Sequence, residues 1–249
     1  MNFDVVISTR SAKKIYRDND KCVKVFDSEY SKADVLNEAL NQARIEETGL
    51  NIPKILEVTT VDGNWAIAYE YISGKSLSEL IKENPEKKAE YIELLVDLQM
   101  EVHSKSCPLL GKLRDKMHRK IIQTDLDAVT RYDLYNRLED LPKHNKVCHG
   151  DFTPSNIIIK DDGTPYILDW AHATQGNASA DVARTYLLFW LKGDKEGAKT
   201  YLDLFCEKSG TDREYVHKWI PIVAAAHSVQ GKEEERELLL SLVNVVDYE

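Results

Sequence analysis

The sequence lacks long apolar segments and an N-terminal targeting signal. Its longest uninterrupted apolar runs, such as 186–191 and 222–226, are far shorter than the roughly 18 residues that a membrane-spanning helix requires. Residues 1–4 contain no basic segment followed by an apolar one, which a secretory signal would show. We therefore expect a cytoplasmic protein with no membrane partner.

Cysteines and basic residues are also scarce. The four cysteines form no Cys-x-x-Cys pair, and no histidine stands at zinc-ligand spacing, so neither a disulfide framework nor a structural metal is predicted. The 33 basic residues are outnumbered by 42 acidic ones, which gives a net charge of −9. This balance argues against nucleic acid as a partner. The 249 residues, 43% of them apolar, can form a sizeable core in one or two domains.

The first 72 residues are rich in β-forming runs, and the remainder is mainly helical. A polar turn at 17–20 divides the first two runs and predicts a hairpin. Ser31, followed by Asp34, has the form of a helix cap. The predicted order is strand, strand, helix, strand, strand, over residues 3–7, 22–26, 31–49, 55–58 and 65–72. With helices after residue 73 and a β interruption at 147–170, the pattern predicts an α+β fold.

The β interruption contains two oxygen-bearing side chains that suit a metal. We predict strands over 156–160 and 165–169, joined by a four-residue turn at 161–164. This register places Asn156 opposite Asp169, and directly opposed residues have Cβ atoms about 4.5–5.5 Å apart. A carboxamide and a carboxylate are hard ligands that suit Mg²⁺. The hairpin therefore predicts a magnesium site.

A loop with glycine and proline precedes this hairpin. Within it, Asp151 stands five residues before Asn156. Such a loop can direct the Asp151 carboxylate toward a substrate hydroxyl near the metal. In phosphoryl transfer, a carboxylate in this position accepts the hydroxyl proton.

The motif His149-x-Asp151-x-x-x-x-Asn156, followed by the segment 167–170, resembles the catalytic loop and metal-binding aspartate of the aminoglycoside phosphotransferase and choline kinase superfamily. These enzymes are relatives of the protein kinases. The resemblance implies a bilobal kinase-like fold. Its N-terminal lobe, 1–71, would have a small antiparallel sheet and one helix and bind nucleotide. Its helical C-terminal lobe, 72–249, would carry the catalytic loop and the acceptor site.

The same resemblance extends to residues outside the catalytic loop. Lys24 resembles the strand lysine that binds the nucleotide phosphates, and Glu38 resembles its helical partner. The segment Glu70-Tyr71-Ile72 resembles the hinge whose backbone binds adenine. Asp181 resembles the aspartate at a helix start that braces the catalytic loop.

Two of these assignments have ordinary structural alternatives. A lysine in a short strand commonly faces solvent, which would explain Lys24 without a ligand. Glu38 has no basic residue three or four positions away, so no pair within its own helix explains it. A distant partner such as Lys24 fits, but a solvated helix glutamate fits as well.

The resemblance implies transfer of the γ-phosphoryl group of ATP, or of GTP, to a hydroxyl of a small molecule. Aminoglycosides, choline-like compounds, sugars and amino-acid derivatives are the acceptor classes considered. Asp151 would be catalytic, and Asn156 and Asp169 would hold Mg²⁺. The alternative is a catalytically silent, kinase-like nucleotide-binding module. A protein kinase is disfavoured because no Gly-x-Gly-x-x-Gly motif stands at 8–12 and the chain between Asp169 and Asp181 is short.

Overall fold

The computed structural model describes residues 5–10, 13–229 and 233–243, and its contacts divide the chain into two units. The first, called the sheet unit, comprises Met1–Glu83 and Pro154–His172. The second, called the helical unit, comprises Asn84–Thr153 and Ala173–Glu249. The division differs from the predicted lobe boundary at residue 71, because the hairpin that follows Asn156 packs within the sheet unit.

Strands and helices follow one another along the chain with short connections. The strands are β1 (Val5–Arg10), β2 (Lys13–Asp18), β3 (Lys21–Phe26), β4 (Ile55–Val61), β5 (Asn64–Glu70), β6 (Lys75–Ser76), β7 (Lys146–Cys148), β8 (Ile157–Ile159), β9 (Pro165–Ile167) and β10 (Thr174–Gly176). The helices are α1 (Lys32–Glu46), α2 (Leu77–Glu83), α3 (Lys88–Ser104), α4 (Leu113–Ile122), α5 (Ala128–Asp140), α6 (Ala178–Leu191), α7 (Lys195–Ser209), α8 (Arg213–His217), α9 (Ile220–Ser228) and α10 (Glu233–Ser241).

The main sheet of the sheet unit is antiparallel, with strand order β1-β2-β3-β5-β4. The predicted single hairpin before α1 is wrong, because β2 lies between the two predicted strands and pairs with both. Four of its six residues are charged, which hides the strand pattern in the sequence. Residues 3 and 4 of the first predicted strand, and residues 11 and 12 of the segment 8–12, lie outside the described residues.

One face of this sheet packs against α1. Phe26 on β3 and Ile67 on β5 form a buried cluster with Val35 and Ala39 of α1. Since side chains alternate along a strand, Lys24 shares the face of Phe26 and points toward α1. The helix begins as predicted, because the Ser31 hydroxyl accepts a hydrogen bond from the backbone N–H at position 34 (3.1 Å).

The hairpin after Asn156 is present, but its turn is one residue shorter than predicted. Gly163 donates its N–H to the Lys160 carbonyl (2.9 Å), and Lys160 donates its own to the Thr164 carbonyl (3.0 Å). The loop therefore holds three residues, with Gly163 in the left-handed region at φ 84°. A turn closed by a left-handed glycine is a common three-residue hairpin loop.

The shorter loop moves the register by one position. Pro165 pairs with Ile159, where the prediction paired it with Lys160. The Leu168 N–H donates to the Asn156 carbonyl (2.8 Å), so Asn156 lies opposite Leu168 and the predicted pairing with Asp169 is wrong. The strand β6 pairs with β8, which completes a small three-stranded sheet in the order β6-β8-β9.

The helical unit is built around α3, α6, α7 and α9. The helix α7 packs on α3 and α6, and α9 packs on α4, α6 and α10. Buried apolar side chains of these four helices include Leu95, Leu187, Leu202 and Val223. The two short strands β7 and β10 pair beside this core. Together with the antiparallel sheet of the first unit, this arrangement confirms the predicted α+β fold class.

No helix in the part of the chain that the structure describes is long and apolar enough to cross a membrane.

Candidate functional site

A buried lysine between two carboxylates forms the centre of the sheet unit's polar site. Lys24 Nζ lies 2.5 Å from Glu38 Oε1 and 3.1 Å from Asp169 Oδ1. The side chains of Lys24 and Glu38 are each only 7% exposed, so the ammonium is almost completely removed from water. The alternative of a lysine facing solvent is therefore excluded. Because side chains alternate along β3, Lys24 points toward α1. Glu38 is buried on the face of α1 that also carries Val35 and Ala39.

Glu38 accepts two further contacts that sequence reasoning missed. Lys13 Nζ lies 3.3 Å from Glu38 Oε2, and the Tyr69 hydroxyl donates to Glu38 Oε1 (3.3 Å). Lys13 lies on β2, the strand that was not predicted because most of its residues are charged. Burial and the negative charges of Glu38 and Asp169 raise the pKa of Tyr69 well above its ordinary value, so the phenol stays a neutral donor.

Lys24 and Asp169 stabilise each other's ionised forms. Burial alone would lower the pKa of Lys24, but the charges of Asp169 and Glu38 outweigh it and raise the pKa above its ordinary value. Burial alone would raise the pKa of Asp169, but the charges of Lys24 and Lys13 outweigh it and hold that pKa well below its ordinary value. The lysine is therefore a permanent cation and Asp169 a permanent carboxylate near neutral pH.

Asp169 and Asn156 line one cavity of about 570 Å³ in the sheet unit, and Lys24 lines it with them. Asp169 has a left-handed backbone at φ 63°, which costs a non-glycine residue about 1–3 kcal/mol. Such strain is typical of positions held for function. No group of three or more His, Cys, Asp and Glu side chains suited to a metal occurs among the described residues. The donors present instead fit Mg²⁺, which commonly takes only one or two protein ligands and shares phosphate oxygens.

The predicted hinge follows β5 along the wall of the same cavity. Glu70 donates its N–H to the Lys54 carbonyl (2.8 Å), and its carboxylate accepts the Lys54 N–H (3.4 Å). Ile72 lines the cavity, and no hydrogen bond to the rest of the described chain occupies its backbone. A ligand in the cavity can therefore use that backbone amide. Apolar side chains such as Ile15 and Leu168 provide the remaining surface for a flat ring.

The catalytic-loop motif begins in the helical unit, where Asp181 braces it. In the first turn of α6, the fully buried Asp181 accepts the backbone N–H groups of Gly150 (2.6 Å) and His149 (3.1 Å). His103 Nε2 lies 3.0 Å from the same carboxylate. Burial alone would raise the pKa of Asp181, but hydrogen bonding and charge from His103 outweigh it and lower the pKa to about 2. This is the brace that the resemblance implies.

Asp151 lies beside an arginine of α6. Arg184 Nη2 lies 3.8 Å from Asp151 Oδ1, and Arg184 donates Nε–H to the Gly150 carbonyl (3.4 Å). The Asp151 side chain is about one-quarter exposed, at 26%, and so remains accessible to a substrate. His149 is completely buried and accepts the Asp151 N–H on Nδ1 (3.2 Å), which gives it a role in shaping the loop.

The structure thus brings Lys24, Glu38 and Asp169 into contact and adds Asn156 to the same cavity, while Asp151 belongs to the helical unit. Sequence reasoning missed Arg184. Its only signal was its position three residues after Asp181, one turn along the same helix face.

Three comparisons with known proteins bear on this arrangement. A search of curated proteins finds no match. Among solved structures, aminoglycoside phosphotransferase APH(4)-Ia has a TM-score of 0.71 at 14% identity, covering 96% of this chain and 91% of that chain. A choline/ethanolamine kinase family protein from Mesorhizobium loti has a TM-score of 0.65 at 14% identity, covering 96% and 87%. LicA in complex with AMP has a TM-score of 0.62 at 17% identity, covering 98% and 91%.

These similarities show that the fold is the kinase-like fold of the aminoglycoside phosphotransferases. The model of the phosphotransferase enzyme family matches residues 6–219, which include every predicted site residue. The chain belongs to the phosphotransferase enzyme family.

Proposed function

We propose that this protein transfers the γ-phosphoryl group of ATP, or of GTP, to a hydroxyl group of a small molecule. The observation that carries the proposal is Lys24, a buried cation fixed between Glu38 and Asp169 at a cavity that Asn156 also lines. Phosphoryl transfer requires mainly positioning and charge neutralisation, and a fixed cation with oxygen ligands for a metal supplies both.

The cavity of the sheet unit is the proposed nucleotide site. The base would use the backbone of Ile72, at the end of the Glu70-Tyr71-Ile72 segment, and the phosphates would lie against Lys24. Two of the solved structures support this assignment by analogy. LicA was crystallised with AMP, and a thermostable mutant of APH(4)-Ia was crystallised with AMP-PNP and hygromycin B.

Asn156 and Asp169 would hold Mg²⁺, since carboxamide and carboxylate oxygens are the donors it takes. The ion, when bound, would neutralise charge on the phosphate oxygens. The ion pair with Lys24 keeps Asp169 ionised and therefore ready to bind a cation.

Asp151 would orient the acceptor hydroxyl and accept its proton. Its accessible carboxylate and its place in a loop pinned by Asp181 support this role. Two backbone hydrogen bonds from that loop to one buried carboxylate restrict the position of the loop. A base must lie within hydrogen-bonding reach of the hydroxyl it deprotonates, so a rigid loop favours catalysis.

Phosphorus NMR of reactions with Mg-ATP and pools of hydroxyl compounds tests the proposal. We expect a new phosphomonoester signal with the wild-type protein and none with Asp151→Asn. Asp161→Asn, an equal charge change at the exposed hairpin tip, is the matched control and should retain activity. Nucleotide binding without transfer to any pool would support the silent binding module instead.

A further inference from the structure

A second lysine, Lys13, belongs to the ion-paired site around Lys24. Its Nζ lies 3.3 Å from Glu38 Oε2, while Lys24 Nζ lies 2.5 Å from Oε1 of the same carboxylate. Both ammonium groups also lie over the ring of Phe26, at 5.2 Å and 5.7 Å from its centroid. The two cations therefore share one glutamate. Because like charges repel, a further anion beside them would be stabilised.

The strand register places Lys13 further from the predicted hinge than Lys24. On β2, Lys13 lies two positions from Ile15, which lines the cavity, and alternate residues share a strand face. Ile15 pairs with Lys24, whereas Glu70 at the start of the hinge pairs with Lys21 at the other end of β3. Lys13 is therefore two residues, about 7 Å, further along the sheet than Lys24. A nucleotide with its base at the hinge would extend its terminal phosphates in that direction.

Lys13 retains the capacity to bind a ligand. Glu38 is its only ion-pair partner among the described residues, and the one hydrogen bond between them uses one of the three donors of the ammonium. The side chain of Lys13 is 18% exposed, against 7% for Lys24, which is paired with both Glu38 and Asp169. Lys13 is therefore the more accessible of the two cations.

The charge of Lys13 is needed for this site to accept an anion. Lys13 and Lys24 together balance Glu38 and Asp169, so the four paired groups carry no net charge. Without Lys13 the remaining three would be negative overall and would oppose an anionic ligand. Burial alone would raise the pKa of Asp169, but the charges of Lys24 and then Lys13 lower it. Lys13 thus acts on the proposed metal ligand as well as on Glu38.

We infer that Lys13 is a second nucleotide-binding cation, which binds the β- and γ-phosphates beyond Lys24. The inference rests on the proposed function and deepens it, because it adds a residue to the phosphate site. Lys24 stays enclosed between its two carboxylates, and Lys13 directs its remaining N–H donors to phosphate oxygens. Hydrogen bonds between charged groups are roughly twice as strong as those between neutral groups.

Nucleotide binding measured by calorimetry tests this role without requiring turnover. The wild type is first titrated with Mg-ATP and Mg-GTP, and the nucleotide that binds is then compared with its monophosphate. Lys13→Gln should weaken triphosphate binding about ten-fold or more, and Lys13→Arg should restore part of it. Binding of the monophosphate, which lacks the two outer phosphates, should change less than about two-fold.

Lys14→Gln is the matched control. Lys14 is the next residue of β2 and is exposed, so its substitution removes the same charge without touching Glu38. It should change the affinity for the triphosphate less than about two-fold. An equal loss in the Lys13 and Lys14 variants would indicate a general effect of charge and would refute a contact specific to Lys13.

A purely structural role for Lys13 would act through Glu38. In that case Lys13→Gln would have no effect in a Glu38→Gln background, because the pair is already lost. Direct contact with phosphate predicts that Lys13→Gln still weakens triphosphate binding about five-fold or more in that background. An effect that vanishes there would overturn the inference, as would equal losses for the monophosphate and the triphosphate.

A measurement on the wild type covers the case in which the variants do not fold. Acetylation by acetic anhydride, followed by mass spectrometry, should be slowed at Lys13 about five-fold or more by the saturating magnesium nucleotide, with Lys14 unaffected. Equal rates at Lys13 with and without nucleotide would contradict the inference while leaving the proposed function intact. If the wild type binds neither Mg-ATP nor Mg-GTP, the proposed function fails and the inference fails with it.

Discussion

Replacement of Lys24 by methionine should strongly destabilise the sheet unit. The substitution keeps the length of the side chain but leaves Glu38, at 7% exposure, and Asp169 without their shared cation. Removing one partner of a buried ion pair costs about 3–5 kcal/mol. Lys13 remains 3.3 Å from Glu38, so we expect a loss near the lower end, about 3 kcal/mol.

A double-mutant cycle separates the ion pair from other effects. Urea unfolding of Lys24→Met, Glu38→Met and the double variant should give a coupling energy of about 2 kcal/mol or more. Each single variant leaves one member of the pair buried without the other, whereas the double variant removes both. The exposed pair between Lys75 and Glu83 is the control. It has a similar distance of 2.7 Å, but its side chains are 59% and 48% exposed. Its two substitutions should be additive within error.

The outcome depends on burial, since the distances in the two pairs are nearly equal. If the cycle at Lys24 and Glu38 were as additive as the exposed cycle, the reasoning about a fixed, dehydrated cation would be refuted. The proposed role of Lys24 at the nucleotide phosphates would then lose its structural basis.

Two further predictions concern the cavity wall and the catalytic loop. Gly74→Ala should lower the free energy of unfolding by about 1–3 kcal/mol, because a Cβ there would lie 2.2 Å from the Ile159 carbonyl oxygen and disturb the pairing of β6 with β8. Gly111→Ala, whose Cβ would meet no atom within 4 Å, should be nearly neutral by the same urea titration. Asp181→Asn should lower kcat and remove the contribution of the ionised carboxylate to the free energy of unfolding. In the wild type folding lowers the pKa of Asp181 from 3.8 to about 2, so this contribution is full above pH 4 and is lost as the pH falls through 2. The contribution is about 2 kcal/mol and is measured by comparing urea unfolding of the two proteins across that pH range.

Local patterns in the sequence predict the elements that local chemistry determines. The cap at Ser31 and the hairpin after Asn156 depend on nearby residues, and both are present. The strand β2 was not predicted because it has few apolar side chains. One of its charged side chains, Lys13, pairs with Glu38, which is close only in the folded chain.

The two proposed metal ligands, Asn156 and Asp169, show what a register argument can predict. A four-residue turn would pair Asn156 with Asp169. The actual loop, with left-handed Gly163, is one residue shorter, and the strand pairing is therefore shifted by one position. Both side chains still line one cavity, and Asp169 has a left-handed backbone just after β9 ends. Neither backbone conformation is readable from hydrophobic periodicity.

The central claim is that the cavity beside Lys24 binds a magnesium nucleotide. Thermal unfolding with ATP and with GTP, each with and without Mg²⁺, tests it on the wild type, on Asp169→Asn and on the control Asp161→Asn. Nucleotide at about 100 times its Kd should add about 2.7 kcal/mol, which is a rise in Tm of about 5–10 °C for a chain of this size. We predict a rise that requires Mg²⁺, persists in the control and disappears in Asp169→Asn. No rise with either nucleotide, or an equal rise in Asp169→Asn without Mg²⁺, would contradict the account.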